Sequence, residues 1–237
     1  MTSRIGAAVA CLLLTQPFVD TSIHVKRFEA IYRGARTLQV TFLERYSENG
    51  HIVRAEAGIA YFRRPGKMRW EYESPEKNLF LVDGKLAWFY VPADHTVTRV
   101  PAKQSTDWRT PLALLAGEVK LSRICARIDL ANAEKPEKDG DVVLSCLLKG
   151  STAKAGESGR NDAIDANRDI LLLEVAQDTS ELVRAVVRGS GGVEIEFKFK
   201  DWQFDPPLPD SFFRFEVPPG VAIVNGELPA SDGRANP

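Results

Sequence analysis

At 237 residues, with 44% hydrophobic and 27% charged side chains, the chain is an ordinary globular one, long enough for one large all-β domain or two small ones. Its formal net charge of −1 excludes a bulk attraction to nucleic acid or anionic lipid, so nucleic acid is not an expected partner. His24, His51 and His95 stand in no metal-ligand spacing, and no nucleophile elbow, Walker loop or dinucleotide fingerprint occurs, so neither an enzyme, a metal site nor a cofactor is expected.

The chain opens with one cation, Arg4, followed by apolar or small residues from Ile5 to Leu14. That run has about the length of a secretory h-region and is short of the ~20 residues that span a bilayer. Residues 1–21 are therefore read as an export signal, with retention as an anchor left open because no clean cleavage site follows. Cys11 resembles a lipidation site weakly, since Leu12 to Leu14 continue the apolar run past it. From Ser22 to Tyr32 the residues Ile23, Val25, Phe28, Ile31 and Tyr32 fall mostly at helical spacing, and Gly34 supplies a stop.

Alternating patterns then predict strands. Leu38, Val40 and Phe42 alternate with polar residues up to the turn at Ser47 to Gly50, and a second strand returns through Ile59 to Phe62. Met68, Trp70 and Tyr72 alternate with Arg69, Glu71 and Glu73, the period of a strand with one apolar and one charged face. Leu79 to Val82, the turn at Asp83-Gly84, Leu86 to Val91 and Thr96 to Val100 extend this into a meander. Thr110 and Pro111 predict the cap and first residue of a short helix carrying Leu112, Leu114 and Leu115, closed by Gly117. Further strands are expected at 119–130, 141–148, 170–176, 182–188, 193–204 and 212–217, for a total of about ten or eleven in a barrel or sandwich. Residues 149–168 read as a flexible loop and 225–237 as a disordered tail.

With Cys11 removed in a signal, Cys125 and Cys146 form an even pair on successive strands. They are read either as a disulfide in an oxidising compartment or as two buried thiols. The stretch from Arg63 to Gly117 holds three of the four tryptophans. Met68, Trp70, Tyr72, Leu79, Leu81, Trp88 and Tyr90 are expected on one face of consecutive strands, partly covered by the helix carrying Leu112 and Leu115. That face is either core or the wall of a cavity for an apolar ligand.

Three motifs in order, R-R-P-G-K-M-R-W-E-Y, L-V-D-G-K-L-A-W-F-Y-V-P and T-P-L-A-L-L-A-G, together with the later F-R-F-E-V-P-P-G-V, resemble the periplasmic outer-membrane lipoprotein carrier family, LolA, over about 22–224. The resemblance implies an unclosed, strongly curved antiparallel β half-barrel with an N-terminal helix and short lid helices. It implies a monomeric, non-enzymatic carrier that receives acylated lipoproteins from an inner-membrane transporter and passes them to an outer-membrane acceptor. By position, Arg64 before Pro65 matches the family arginine that hydrogen-bonds the lid backbone and latches the empty cavity. Met68, Trp70 and Tyr72 match cavity-facing strand positions. The 149–168 insertion and the cysteine pair depart from that pattern. A regulatory or sensor domain of the same fold, or an outer-membrane receptor, are the rival readings.

Overall fold

The structure, a computed structural model, describes residues 20–104, 110–117, 120–149, 169–189 and 191–225; the expected signal, the 149–168 loop and the tail lie almost wholly outside the described residues. Helix α1 (Thr21–Gly34) leads into a meander of β1 (Thr37–Glu48), β2 (His51–Arg63), β3 (Lys67–Ser74), β4 (Leu79–Val82), β5 (Leu86–Val91) and β6 (Thr96–Pro101). A 3-10 segment, Thr110–Ala116, and a one-turn helix α2 (Leu121–Ile124) follow. Then come β7 (Cys125–Leu130), β8 (Val142–Leu148), β9 (Ile170–Val175), β10 (Leu182–Arg188), β11 (Val193–Phe204) and β12 (Ala222–Asn225). The strands form one twelve-stranded sheet in the order β12-β6-β5-β4-β3-β2-β1-β11-β10-β9-β8-β7, whose ends do not meet. Every neighbouring pair is antiparallel except β12 beside β6.

Local chemistry accounts for these elements. Asp20 caps α1, its carboxylate accepting the Ser22 amide at 2.9 Å. The β1–β2 turn places Asn49 and Gly50 at φ 48° and 79°, the paired left-handed geometry of a two-residue hairpin that favours Asn-Gly. Gly58 sits where β2 and β3 shift register. A Cβ there would lie 1.9 Å from the carbonyl oxygen of Glu71, so only glycine admits this approach.

Alternation gives the sheet two unlike faces. On the concave side Leu38, Val40, Phe42, Phe62, Met68, Trp70, Phe80 and Phe197 share one core with Phe28 and Tyr32 of α1 and with Leu112, Leu115 and Leu121. On the convex side two smaller clusters are each covered by a stretch without long elements. Leu81, Trp88 and Val97 lie under Phe215 and Val221 of the C-terminal segment. Val143, Leu172 and Val186 lie beside Ala131, where the β7–β8 connection begins.

That connection, 131–141, is a strap fastened by charge. Glu134 receives Arg188, Glu137 receives Lys198, and Glu174, which is 1% exposed, accepts the Glu137 amide at 2.6 Å and the Arg184 guanidinium at 2.7 Å.

The structure corrects several boundaries. Residues 121–124 are helical rather than the start of a strand, and Phe212 and Phe213 belong to a 3-10 turn, Asp210–Phe213, rather than a final strand. Here Pro206, Pro207 and Pro209 deny the backbone the donors a strand needs, and pairing resumes only at Ala222. The sheet has twelve strands, with the segment expected at 212–217 lost to that turn and the exposed β12, which has no burial pattern to mark it, in its place.

Cys125 and Cys146 are bonded, with Cα atoms 5.3 Å apart. The bond ties β7, at one edge of the sheet, to β8 and closes a loop 21 residues long in sequence separation. Loop-closure entropy for that length gives an expected loss of about 3 kcal/mol in urea unfolding when both cysteines become serine. A loss below about 1 kcal/mol would show that the edge is held by other contacts.

The strap should respond to acid. Hydrogen bonds from Arg188 to Glu134, and from Lys198 to Glu137, hold both carboxyls below their ordinary 4.5. With folded values depressed, their stabilisation is present above about pH 4.5 and fades as pH falls through the folded values. Amide exchange across 131–141, corrected for intrinsic pH dependence, should therefore accelerate below pH 4.5 while β1 and β2 stay protected. Equal acceleration in both would remove the strap's ion pairs as the cause.

Candidate functional site

The concave face is built from rings. Trp70 is fully buried, with Phe42, Phe197 and Phe62 at centroid distances of 4.9, 5.2 and 5.8 Å, mostly edge to face or tilted. One layer along the strands, Tyr72 meets Phe42 at 5.1 Å and donates its hydroxyl to Glu44 at 2.7 Å. Glu44 stands opposite Glu56, and Arg54 lies 3.5 Å from the first carboxylate and 2.8 Å from the second. On β1 and β2 the concave side therefore passes from apolar residues to the charged group of Glu44, Glu56 and Arg54, while Phe197 of β11 stands opposite Glu44. This charged group lies toward the β1–β2 hairpin and away from α1.

Of the seven residues expected on one sheet face and the two expected to cover it, the structure groups Met68, Trp70, Tyr72, Leu112 and Leu115 on the concave side. Leu79, Leu81, Trp88 and Tyr90 are on the opposite side, which corrects the single-face expectation. Register gives the reason: Leu81 pairs with Arg69 and Leu79 with Glu71, so these leucines share the face of the charged β3 residues, and Trp88 and Tyr90 follow them across β5. Phe80 and Val82 are the β4 residues that look inward. Phe215 packs on Trp88 and Tyr90 at 5.3 and 5.6 Å, so these outer aromatics serve to seat the C-terminal segment.

Among the described residues, polar contacts hold the roof over the concave face. Arg64 donates to the carbonyl oxygens of Tyr32 and Arg33 at the end of α1, the second at 2.5 Å. The arginine thus grips α1, while the neighbouring Gly66 amide donates to Ala116 of the 3-10 segment at 2.7 Å. Burial, then the nearby Arg33 charge, lowers the Arg64 pKa, yet a guanidinium remains charged throughout the working range. Glu29 of α1 accepts the Leu121 amide at 2.8 Å, so α1 also positions α2. Tyr32, whose phenol is pushed upward mainly by burial, accepts the Leu182 amide at 2.7 Å. Trp202 donates to the carbonyl of the same residue at 2.8 Å, satisfying the backbone where β10 breaks register. Sequence reasoning missed Glu29, Tyr32 and Phe197; the alternation of Ile195, Phe197 and Phe199 carried the signal for the last.

Among the described residues no group of His, Cys, Asp and Glu is arranged to hold a metal ion, and no helix is long and apolar enough to cross a membrane.

Replacing Tyr32 by phenylalanine keeps the ring and strands the buried Leu182 amide. The expected cost is about 1–3 kcal/mol in urea unfolding. A change under about 0.5 kcal/mol would mean that the amide finds another acceptor.

Residues 33–144 match the family model described as outer membrane lipoprotein carrier protein LolA. The chain is 27% identical over 206 residues to the outer-membrane lipoprotein carrier protein of Nitrosospira multiformis, covering 83% of this chain and 86% of that one. It is also 27% identical over 216 residues to the carrier protein of Xanthomonas campestris pv. campestris, covering 90% and 94%. Among solved structures, a conserved protein from Thermus thermophilus superposes with a TM-score of 0.51 at 15% identity, over 86% of this chain and 98% of that one, a likeness of fold.

Proposed function

We propose that this LolA-like chain, a relative of the outer-membrane lipoprotein carriers, is itself a carrier that escorts acylated lipoproteins through the periplasm. The acyl chains enter against Met68, Trp70 and Tyr72 once α1 and the segment carrying Leu112 and Leu115 lift away together. The donor is an inner-membrane transporter and the recipient an outer-membrane acceptor, and no step needs a catalytic group. The observation that carries this reading is the pairing of a broad aromatic concave face with a roof of short helical segments that, among the described residues, is fastened by the hydrogen bonds of Arg64, Gly66 and Glu29.

Energetics explain why such a roof suits a carrier. Each buried CH₂ contributes about 0.8 kcal/mol, so full, unopposed burial of two long chains would leave cargo that never departs. A closed empty form opposes binding. Opening it breaks charge-assisted hydrogen bonds from Arg64, each about 1.5–3 kcal/mol, and uncovers apolar roof residues.

Arg64→Leu should fold, retain acylated cargo and pass it on at least tenfold more slowly to outer-membrane acceptor, because removing one or two such bonds favours the loaded form. Transfer from loaded variant and loaded wild type, measured side by side, decides this. Wild-type transfer, with stability changed by less than about 0.5 kcal/mol, would reduce Arg64 to a strand-end residue.

A further inference from the structure

Trp70 presents a donor with nothing to donate to. Its side chain is fully buried on the concave face, and its indole Nε1 has no hydrogen-bond partner among the described residues. A buried, unpaired N–H is uncommon in folded proteins, because the group has given up water without recovering a bond. The position of this one is informative. Trp70 shares a row across the sheet with Val40, Ala60 and Phe80; the next row toward the β1–β2 hairpin holds Phe42 and Tyr72, whose hydroxyl reaches on to Glu44, and Glu44, Glu56 and Arg54 follow on β1 and β2.

We infer that the Trp70 indole N–H is the recognition group for the ester carbonyl of a diacylglyceryl ligand. This rests on the carrier reading above and extends it from hydrocarbon in general to acyl esters. In such a ligand the hydrocarbon ends at a carbonyl acceptor, and polar groups follow within a few atoms. The concave face has a comparable order toward the hairpin: the rings about Trp70 with its unpaired donor, then the Tyr72 hydroxyl, then the Glu44, Glu56 and Arg54 charges on β1 and β2. The ligand lies with its tails toward α1 and its polar end toward the β1–β2 hairpin. Because the N–H is already dehydrated in the empty form, its desolvation was completed on folding, so a carbonyl that reaches it gives up only its own hydration to make the bond. An alkyl ether of equal length presents a methylene at that point and leaves the donor orphaned. The donor therefore separates acyl from alkyl chains, which apolar walls alone cannot do.

The test compares a synthetic S-(dipalmitoylglyceryl)cysteinyl peptide with its dialkyl ether analogue, on wild type and on Trp70→Phe. Wild type should bind the ester about fivefold to tenfold more tightly, and the ester-to-ether ratio should fall to about one in the variant. The ratio cancels packing lost with the smaller ring. If the variant does not fold, the wild-type indole proton in a ¹H–¹⁵N spectrum gives a second reading: it moves downfield with the ester and not with the ether. Dipalmitoyl phosphatidylglycerol and its ether analogue form a parallel pair. An ester preference there too assigns recognition to glycerol esters of either source, and one confined to the peptides assigns it to the lipoprotein anchor. Equal binding of ester and ether by wild type, or a preference that survives in Trp70→Phe, overturns the inference and leaves the carrier reading standing. Binding of neither lipopeptide overturns both.

Discussion

The guanidinium of Arg64 meets the last turn of α1, where a helix leaves its terminal carbonyls short of donors and carries its negative end. A cation is the group that such an end accepts most readily. Arg64 follows directly on the last residue of β2, so the contact joins the sheet to the helix by the shortest available route. With α1 fixed there, its other residues fall into place: Tyr32 reaches the register break of β10, Glu29 reaches the first amide of α2, and Phe28 and Tyr32 fill the concave core. A single helix thus connects strands on either side of β1 and β11 to the short segments that cover the rings.

The two faces of the sheet are closed in physically different ways. Outside, the strap at 131–141 and the C-terminal segment are pinned by ion pairs, by Arg69 over the Phe212 ring at 4.6 Å and by Trp88 against Phe215. The C-terminal segment also gives β6 a neighbouring strand, which leaves less of that edge unpaired. Inside, closure among the described residues is by apolar contact with the hydrogen bonds that Arg64, Gly66 and Glu29 make to or from backbone. Fastenings of many different kinds suit a permanent seal, and apolar contact released together with its hydrogen bonds suits a part that moves as a unit.

Most of the fold was legible because period-2 alternation is strong in β1, β3 and β11, where one face is mostly core and the other mostly polar or charged. The faces of β4 and β5 were not legible. Leu79 to Val82 is apolar at every position, and both sides of that strand are covered, so its periodicity carries no face information. Only the pairing with β3 decides that Phe80 faces Trp70 while Leu81 joins Trp88. The short strand at β12 escaped for another reason. Its four residues are exposed, so no burial pattern marks them, and it exists because β6 offers an edge. Polar contacts such as Glu29 to Leu121 and Tyr32 to Leu182 join residues 92 and 150 positions apart, beyond the reach of local spacing.

On the carrier reading, a concave face that is well buried when empty limits affinity rather than preventing binding. Leu112, Leu115, Met68 and Trp70 are already out of water, so an entering acyl chain gains chiefly from dehydrating its own surface. Any roof residue it displaces into solvent subtracts from that gain at the same rate per unit area. Affinity then depends on how closely the area uncovered by the roof balances the area covered on the ligand, and the hydrogen bonds of Arg64 and Gly66 shift that balance toward the empty form. A rigid open cavity of the same lining would have no such subtraction, and its affinity would climb by about 0.8 kcal/mol with every methylene until release ceased. The same rings that make the interior able to hold hydrocarbon are, when it is empty, what the roof must cover, so loading and closure compete for one surface.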